Sequence, residues 1–289
     1  MTRDEFQKLI EGGTVILDGA TGSNLRRAGM PVGICAEKWI MDYPQPLTAL
    51  QQAYADAGSM IIYAPTFSAN RISLAMHGLE DRVAEMNRAL VEISRRAVGD
   101  RAYVAGDITT TGKPVGEGGV DYAELMDAYA QQAKAQLEAG VDLFVVETMM
   151  GVTECSAAIE AIRTLCDLPV MCSMSLDTVG QAWFDGDHEQ AALTLPAVGA
   201  DAVGVNCGQG PELYEGVISR MAELTDAPII AKPNAGMPMM QPDGTAVYSM
   251  SPGKFGRSMQ RLKKAGARLL GGCCGTTPEH IAMLAQMCR

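Results

Sequence analysis

Eight short apolar runs punctuate the chain, each bounded by glycine, proline or polar residues. They are TVILDGA (14–20), SMIIYAPTF (59–67), AYVAGDI (102–108), LFVVETM (143–149), PVMCSMSL (169–176), DAVGVNC (201–207), PIIAKPN (228–234) and RLLGGCC (268–274). Each is rich in β-branched residues and nearly continuous rather than alternating, the pattern of parallel strands covered on both faces. Between them, PLTALQQAYADAG (46–58), DYAELMDAYAQQAKAQLEAG (121–140) and PGKFGRSMQRLKKAG (252–266) space apolar residues by three and four and close on glycine, which predicts helices. The stretches AGVDLFVVET, VGADAVGVNC and AGARLLGGCC repeat one design: a glycine-ended helix, a short turn and a buried strand.

Eight such units with no linker or composition break predict an α/β fold, a single (β/α)8 TIM barrel spanning residues 1–289. A doubly wound sheet is the competing arrangement. It would place a phosphate-binding glycine fingerprint after an early strand, and the glycines of DGATGSNLRRAG are too loosely spaced for one.

Charge and composition narrow the function. The net charge is −11 and no basic stretch is present to neutralise phosphates, which argues against nucleic acid as a partner. The start, MTRDEFQKLIEGG, carries charges where a signal peptide needs an apolar core, and no run approaches the ~20 apolar residues of a membrane span. A cytoplasmic protein without membrane contact is therefore expected, and its eight cysteines should be free thiols, metal ligands or packing residues. The three methionines in GMPMMQPDG (236–244) are read as gap-fillers of the core.

In such a barrel the active site collects at the C-terminal ends of the strands. Those ends carry Asp18, Thr66, Asp107, Glu147 with Thr148, Ser173 with Ser175, Asn206 with Cys207, Asn234, and Cys273 with Cys274. Three thiols on one rim, Cys207, Cys273 and Cys274, suit a zinc ion: thiolates bind this borderline-soft cation at ~2.3 Å and leave the fourth tetrahedral position open for chemistry. Inert buried thiols are the alternative. The glycines at 208, 271, 272 and 275 are expected to let the backbone pass close to the ion. Cys35, Cys155, Cys166, Cys172 and Cys288 are expected to pack in helices or mid-strand, and no histidine shares a strand end with the rim cysteines.

DGATGSN, VGVNCGQGP, KPNAGMP and above all GGCCGTTPEHI resemble the homocysteine S-methyltransferase family, most closely the homocysteine-binding module of its cobalamin-dependent branch. The likeness runs from about residue 10 to the C-terminus. It implies a (β/α)8 barrel with zinc on Cys207, Cys273 and Cys274, and carboxylates at Asp18 and Glu147 around the substrate's amino group. Zinc would hold homocysteine as the thiolate, the nucleophilic form, which displaces an activated methyl group to give methionine. Backbone amides near Ala20 and Thr21, or the residues Ser173 and Ser175, would receive the substrate carboxylate. Asn234 would fill the fourth zinc position until the thiol displaces it. The chain ends soon after the eighth strand, so a methylcobalamin or other methylcorrinoid donor is expected on a separate protein. S-methylmethionine or betaine is the alternative donor, and a subunit docking on a corrinoid protein to serve another methyl donor is the alternative role. The loop GDITTTGKPVGEGG departs from the family's usual Gly-Pro after strand three, at the rim where a donor would approach.

Overall fold

The computed structural model describes residues 1–241 and 246–289. Its eight-stranded sheet is parallel throughout: β1 (Val15–Ile16), β2 (Ile61–Tyr63), β3 (Tyr103–Thr109), β4 (Leu143–Met149), β5 (Val170–Met174), β6 (Ala202–Cys207), β7 (Ile229–Pro233) and β8 (Ala267–Leu270). The spatial order is β1-β8-β7-β6-β5-β4-β3-β2. A parallel bridge between Leu17 and Ile61, with the Met60 N–H donating to Ile16 O at 2.7 Å, joins the two ends and closes the barrel. The predicted helices are present as Pro44–Ala57, Tyr122–Glu138 and Pro252–Lys264. The first is capped by Gly58 in the left-handed region, where a glycine meets no Cβ penalty.

β1, β2 and β8 are shorter than their apolar runs. The chain beyond β8 nonetheless keeps its ladder: Gly271 N–H donates to Ala231 O (3.0 Å) and Cys273 N–H to Pro233 O (2.8 Å). The path from Leu270 to Cys273 is thus fixed by β7.

Two apolar layers result. Outside the sheet, helices cover residues such as Ile16, Ile62, Val104, Phe144 and Val203. Inside the barrel lie Val15, Leu17, Ile61, Tyr63, Ala105, Leu143, Val145, Met171, Ala202, Ile230 and Leu269. Phe6, fully buried, joins this inner cluster from the helix Arg3–Glu11, which a capping box between Thr2 and Glu5 starts.

The methionines of 236–244 do not fill the core. Met237, Met239 and Met240 are exposed, the last two in a short ribbon pairing Met239–Met240 with Ala246–Val247, while residues 242–244 lie outside the described residues. No helix of the described residues is long and apolar enough to cross a membrane.

Candidate metal centre and carboxylate pocket

Strand alternation aims every second side chain into the barrel, and the inner set changes character partway up. Apolar Ala105, Val145 and Ile230 belong to the inner cluster. Two residues further along the same strands stand Asp107, Glu147 and Lys232, all buried and all lining one cavity of about 370 Å³. Asp18, Ala20, Thr21, Cys207, Cys273 and Cys274 line it too.

The three thiols converge. Their sulfurs lie within 4.8 Å of one another, and Cys207 Sγ is 3.9 Å from Cys274 Sγ. Cys207 (φ 57°) is one of only two non-glycine residues in the left-handed region among the described residues, a conformation costing roughly 1–3 kcal/mol. Its carbonyl accepts from Tyr214 Oη at 3.0 Å and from the Gln209 N–H at 2.6 Å, which hold the turn. The other such residue is Thr148 (φ 57°), cross-linked to β6 by Asn206, which accepts from the Thr148 N–H (2.8 Å) and donates to Thr148 Oγ1 (2.6 Å). Hydrogen bonds from Cys207 and Cys273 pull the Cys274 thiol well below its ordinary value, while Cys273 is driven up by its bonds to the other two.

The donor set fits zinc: three sulfurs at this spacing can close on one ion. Asn234, 2% exposed, has an Oδ1 without a hydrogen-bond partner, but it is not among the residues lining the cavity. The nearby glycines are closely approached by protein neighbours. A Cβ on Gly271 would stand 2.8 Å from Asp18 O and from Lys232 Cγ, and one on Gly275 would stand 2.3 Å from the Tyr248 ring.

The carboxylate side is dominated by a residue that the strand-end reading passed over. Lys232 Nζ lies 2.6 Å from Asp18 Oδ1 and 3.8 Å from the centre of the Tyr63 ring, with both partners of the ion pair almost fully buried. Asp18 Oδ2 accepts the Tyr63 N–H at 2.8 Å. Burial pushes the Asp18 carboxyl up, and the Lys232 ammonium pulls it back. Burial likewise works against the ammonium, yet Asp18 and Glu147 hold it above its ordinary value. Glu147 is pushed up to about 7, first by burial, and Asp107 is raised by burial and by Glu147 beside it. A period-two reading from Ala105 and Ile230 is the sequence signal that finds Asp107 and Lys232.

Other expected residues fall elsewhere. Ser173 is buried and donates to Asn206 Oδ1 (2.9 Å), and neither it nor Ser175 lines the cavity. The Ala20 N–H is committed to Thr276 Oγ1 at 3.0 Å. Cys35, expected to pack in a helix, instead precedes the helix Ala36–Asp42 and lines the cavity with His77. These two arrive through the long connections after β1 and β2, which a reading of strand ends does not see. His280 is structural: its Nδ1 meets the Thr277 N–H and its Nε2 lies 2.9 Å from Met250 O.

A family model described as homocysteine S-methyltransferase matches residues 15–288. The chain belongs to the homocysteine S-methyltransferase family. It is 27% identical over 286 residues to the methionine synthases of Mycobacterium tuberculosis and Mycobacterium leprae, a match covering 93% of this chain. The chain spans only 24% of the length of these relatives. Among solved structures it resembles the homocysteine methyltransferase MmuM from Escherichia coli in its metallated form, with a TM-score of 0.81 and 22% identity over 95% of this chain and 96% of that one. The apo form of the same protein gives a TM-score of 0.75. At this identity the likeness speaks for the fold.

Proposed function

We propose that residues 1–289 act as one homocysteine-binding barrel, a zinc-dependent S-methyltransferase that converts homocysteine to methionine with a methyl group taken from a methylcorrinoid on a separate protein. The observation that carries this reading is the convergence of Cys207, Cys273 and Cys274 over a cavity whose wall holds buried carboxylates. The three cysteines would hold zinc, with Asn234 as its fourth ligand in the free protein. Zinc supplies Lewis-acid stabilisation of a substrate thiolate at neutral pH.

The chain's own side chains supply the rest. Asp18 and Glu147 receive the substrate ammonium through charge-assisted hydrogen bonds, and Lys232 keeps Asp18 ionised in a buried site. The segment Ala20–Thr21 faces the substrate carboxylate, with the Ala20 amide already engaged by Thr276. The thiolate sulfur then forms the S–CH3 bond, and the donor keeps the electron pair of the bond that breaks. Support for a donor borne on a macromolecule comes from Val179, Trp183 and Phe184 after β5 and Met237, Met239 and Met240 after β7. All six are exposed, and they present apolar surface on loops that leave the C-terminal ends of the strands.

The test supplies zinc-loaded protein with homocysteine and each donor in turn: a methylated corrinoid protein, free methylcobalamin, S-methylmethionine and betaine. Methionine from the corrinoid donors is the expected result. Methionine from S-methylmethionine or betaine alone would transfer the assignment to a small-molecule donor, and none from any donor would overturn it.

A further inference from the structure

Three buried carboxylates and one buried ammonium share the base of the cavity, and they are not equivalent. Asp18 has a partner for each oxygen, Lys232 on Oδ1 and the Tyr63 N–H on Oδ2. Glu147 lies within 3.5 Å of Asn206 Nδ2. Asp107 differs from both: it is 4% exposed, lines the cavity, and its Oδ1 has no hydrogen-bond partner. A buried acceptor left without a donor is costly, and its presence beside a binding cavity points to a donor that arrives with the ligand.

The Asp107 main chain is held with unusual care. Thr66 Oγ1 donates to its carbonyl at 2.8 Å and accepts its N–H at 3.0 Å. Gln136 Nε2 donates to the same carbonyl at 3.0 Å, and Gln132 Nε2 does so at 3.3 Å. Gln136 reaches the strand because the preceding residue is Gly106, where a Cβ would stand 2.4 Å from Gln136 Oε1. The side chain is thereby aimed by its backbone while its own oxygen stays unclaimed, which is the arrangement of a preorganised receptor.

Resting on the homocysteine reading above, we infer that Asp107 is a third carboxylate contacting the substrate ammonium, and the one that makes the site specific for an α-amino acid thiol over a simple thiol acid. An ammonium has three N–H donors, and Asp18, Glu147 and Asp107 present three acceptors around one cavity. Among the described residues, Asp107 Oδ1 is the carboxylate oxygen that is fully buried without a hydrogen-bond partner, so a donor brought by the ligand would satisfy it.

The test compares L-homocysteine with 4-mercaptobutanoate, which keeps the thiol and carboxylate and lacks the amino group. Binding of each to zinc-loaded wild-type protein and to Asp107→Asn is measured by calorimetry, with thermal melting to check the fold. Loss of one charge-assisted hydrogen bond predicts homocysteine binding weakened about tenfold or more, with the affinity for 4-mercaptobutanoate changed less than about twofold. Equal weakening of both ligands would make Asp107 merely structural, and unchanged homocysteine binding would remove it from the contact; either result overturns the assignment. Should Asp107→Asn fail to fold, Asp107→Ser carries the same comparison, because the Thr66 and Gln136 bonds are made by the main chain. Wild-type protein that binds neither thiol would defeat the homocysteine reading itself, and this inference with it.

Discussion

The lower and upper halves of the barrel interior are built from the same strands and follow opposite rules. Below, Val15, Ile61, Leu143, Met171, Ala202 and Leu269 close on Phe6 with no polar atom among their side chains. Above, a two-residue step along β3, β4 and β7 brings Asp107, Glu147 and Lys232, ionisable groups that water barely reaches. The lower half gains stability from area removed from water; the upper half keeps several ionisable groups in a medium that disfavours charge. The contrast teaches that the strands carry stability at one end and chemistry at the other, with the change of character between Ala105 and Asp107, Val145 and Glu147, Ile230 and Lys232.

The largest effect is expected at the top of the upper half. Cys207→Ala, Cys273→Ala and Cys274→Ala should each lose stoichiometric zinc and all measurable methionine formation, because two sulfurs remain where the proposed site uses three protein ligands and keeps a fourth position for substrate. Metal content after gel filtration checks this, and retention of one zinc by all three variants would break the assignment. Cys288→Ala, fully buried at the end of the last helix, serves as the control and should keep its zinc.

Next comes the buried ion pair. Lys232→Met leaves Asp18 buried without its partner, which should cost about 3–5 kcal/mol in denaturant unfolding. The double variant Asp18→Asn with Lys232→Met should recover most of that, since it removes both charges together. A double variant no more stable than the single one would show that Lys232 acts by packing against Tyr63 and Gly271 instead. In the lower half, Phe6→Ala should cost about 3 kcal/mol, as expected for emptying a buried aromatic site, while methyl transfer by the folded protein is unchanged. Equal losses of activity in Phe6→Ala and Lys232→Met would erase the division between the halves.

Much of this division was legible in the sequence, and the illegible part has physical causes. The eight apolar runs marked the strands, because strands buried on both faces are hydrophobic at nearly every position. That same continuity hid which face each residue takes, so Lys232 read as one polar interruption in PIIAKPN and not as the charge beneath the site. The paired cysteines of GGCC and the upstream Cys207 were visible as strand-end chemistry, although β8 itself ends at Leu270. The helix Arg3–Glu11 was obscured by its charges: only Phe6 is buried, and the Thr2–Glu5 capping box was its local signal. Cys35 and His77 depend on how long connections fold back over the mouth, which spacing along the chain does not encode.

The smallest expected effect tests whether the charges of the upper half answer to the ligand. Burial places the Glu147 carboxyl at about 7, so it is largely protonated at pH 6 and largely ionised at pH 8. An ammonium is held by the ionised form, so affinity for an amino-acid ligand should strengthen as pH rises through this range, by about tenfold if only ionised Glu147 binds. Homocysteine's own thiol titrates in the same direction and would obscure the effect. Methionine, which has the ammonium and no thiol, separates the two when used as a product inhibitor. Its inhibition constant should fall between pH 6 and pH 8 in the wild-type protein and stay level in Glu147→Gln. A level profile in both would take Glu147 out of the ammonium contact and leave Asp18 and Asp107 to hold it.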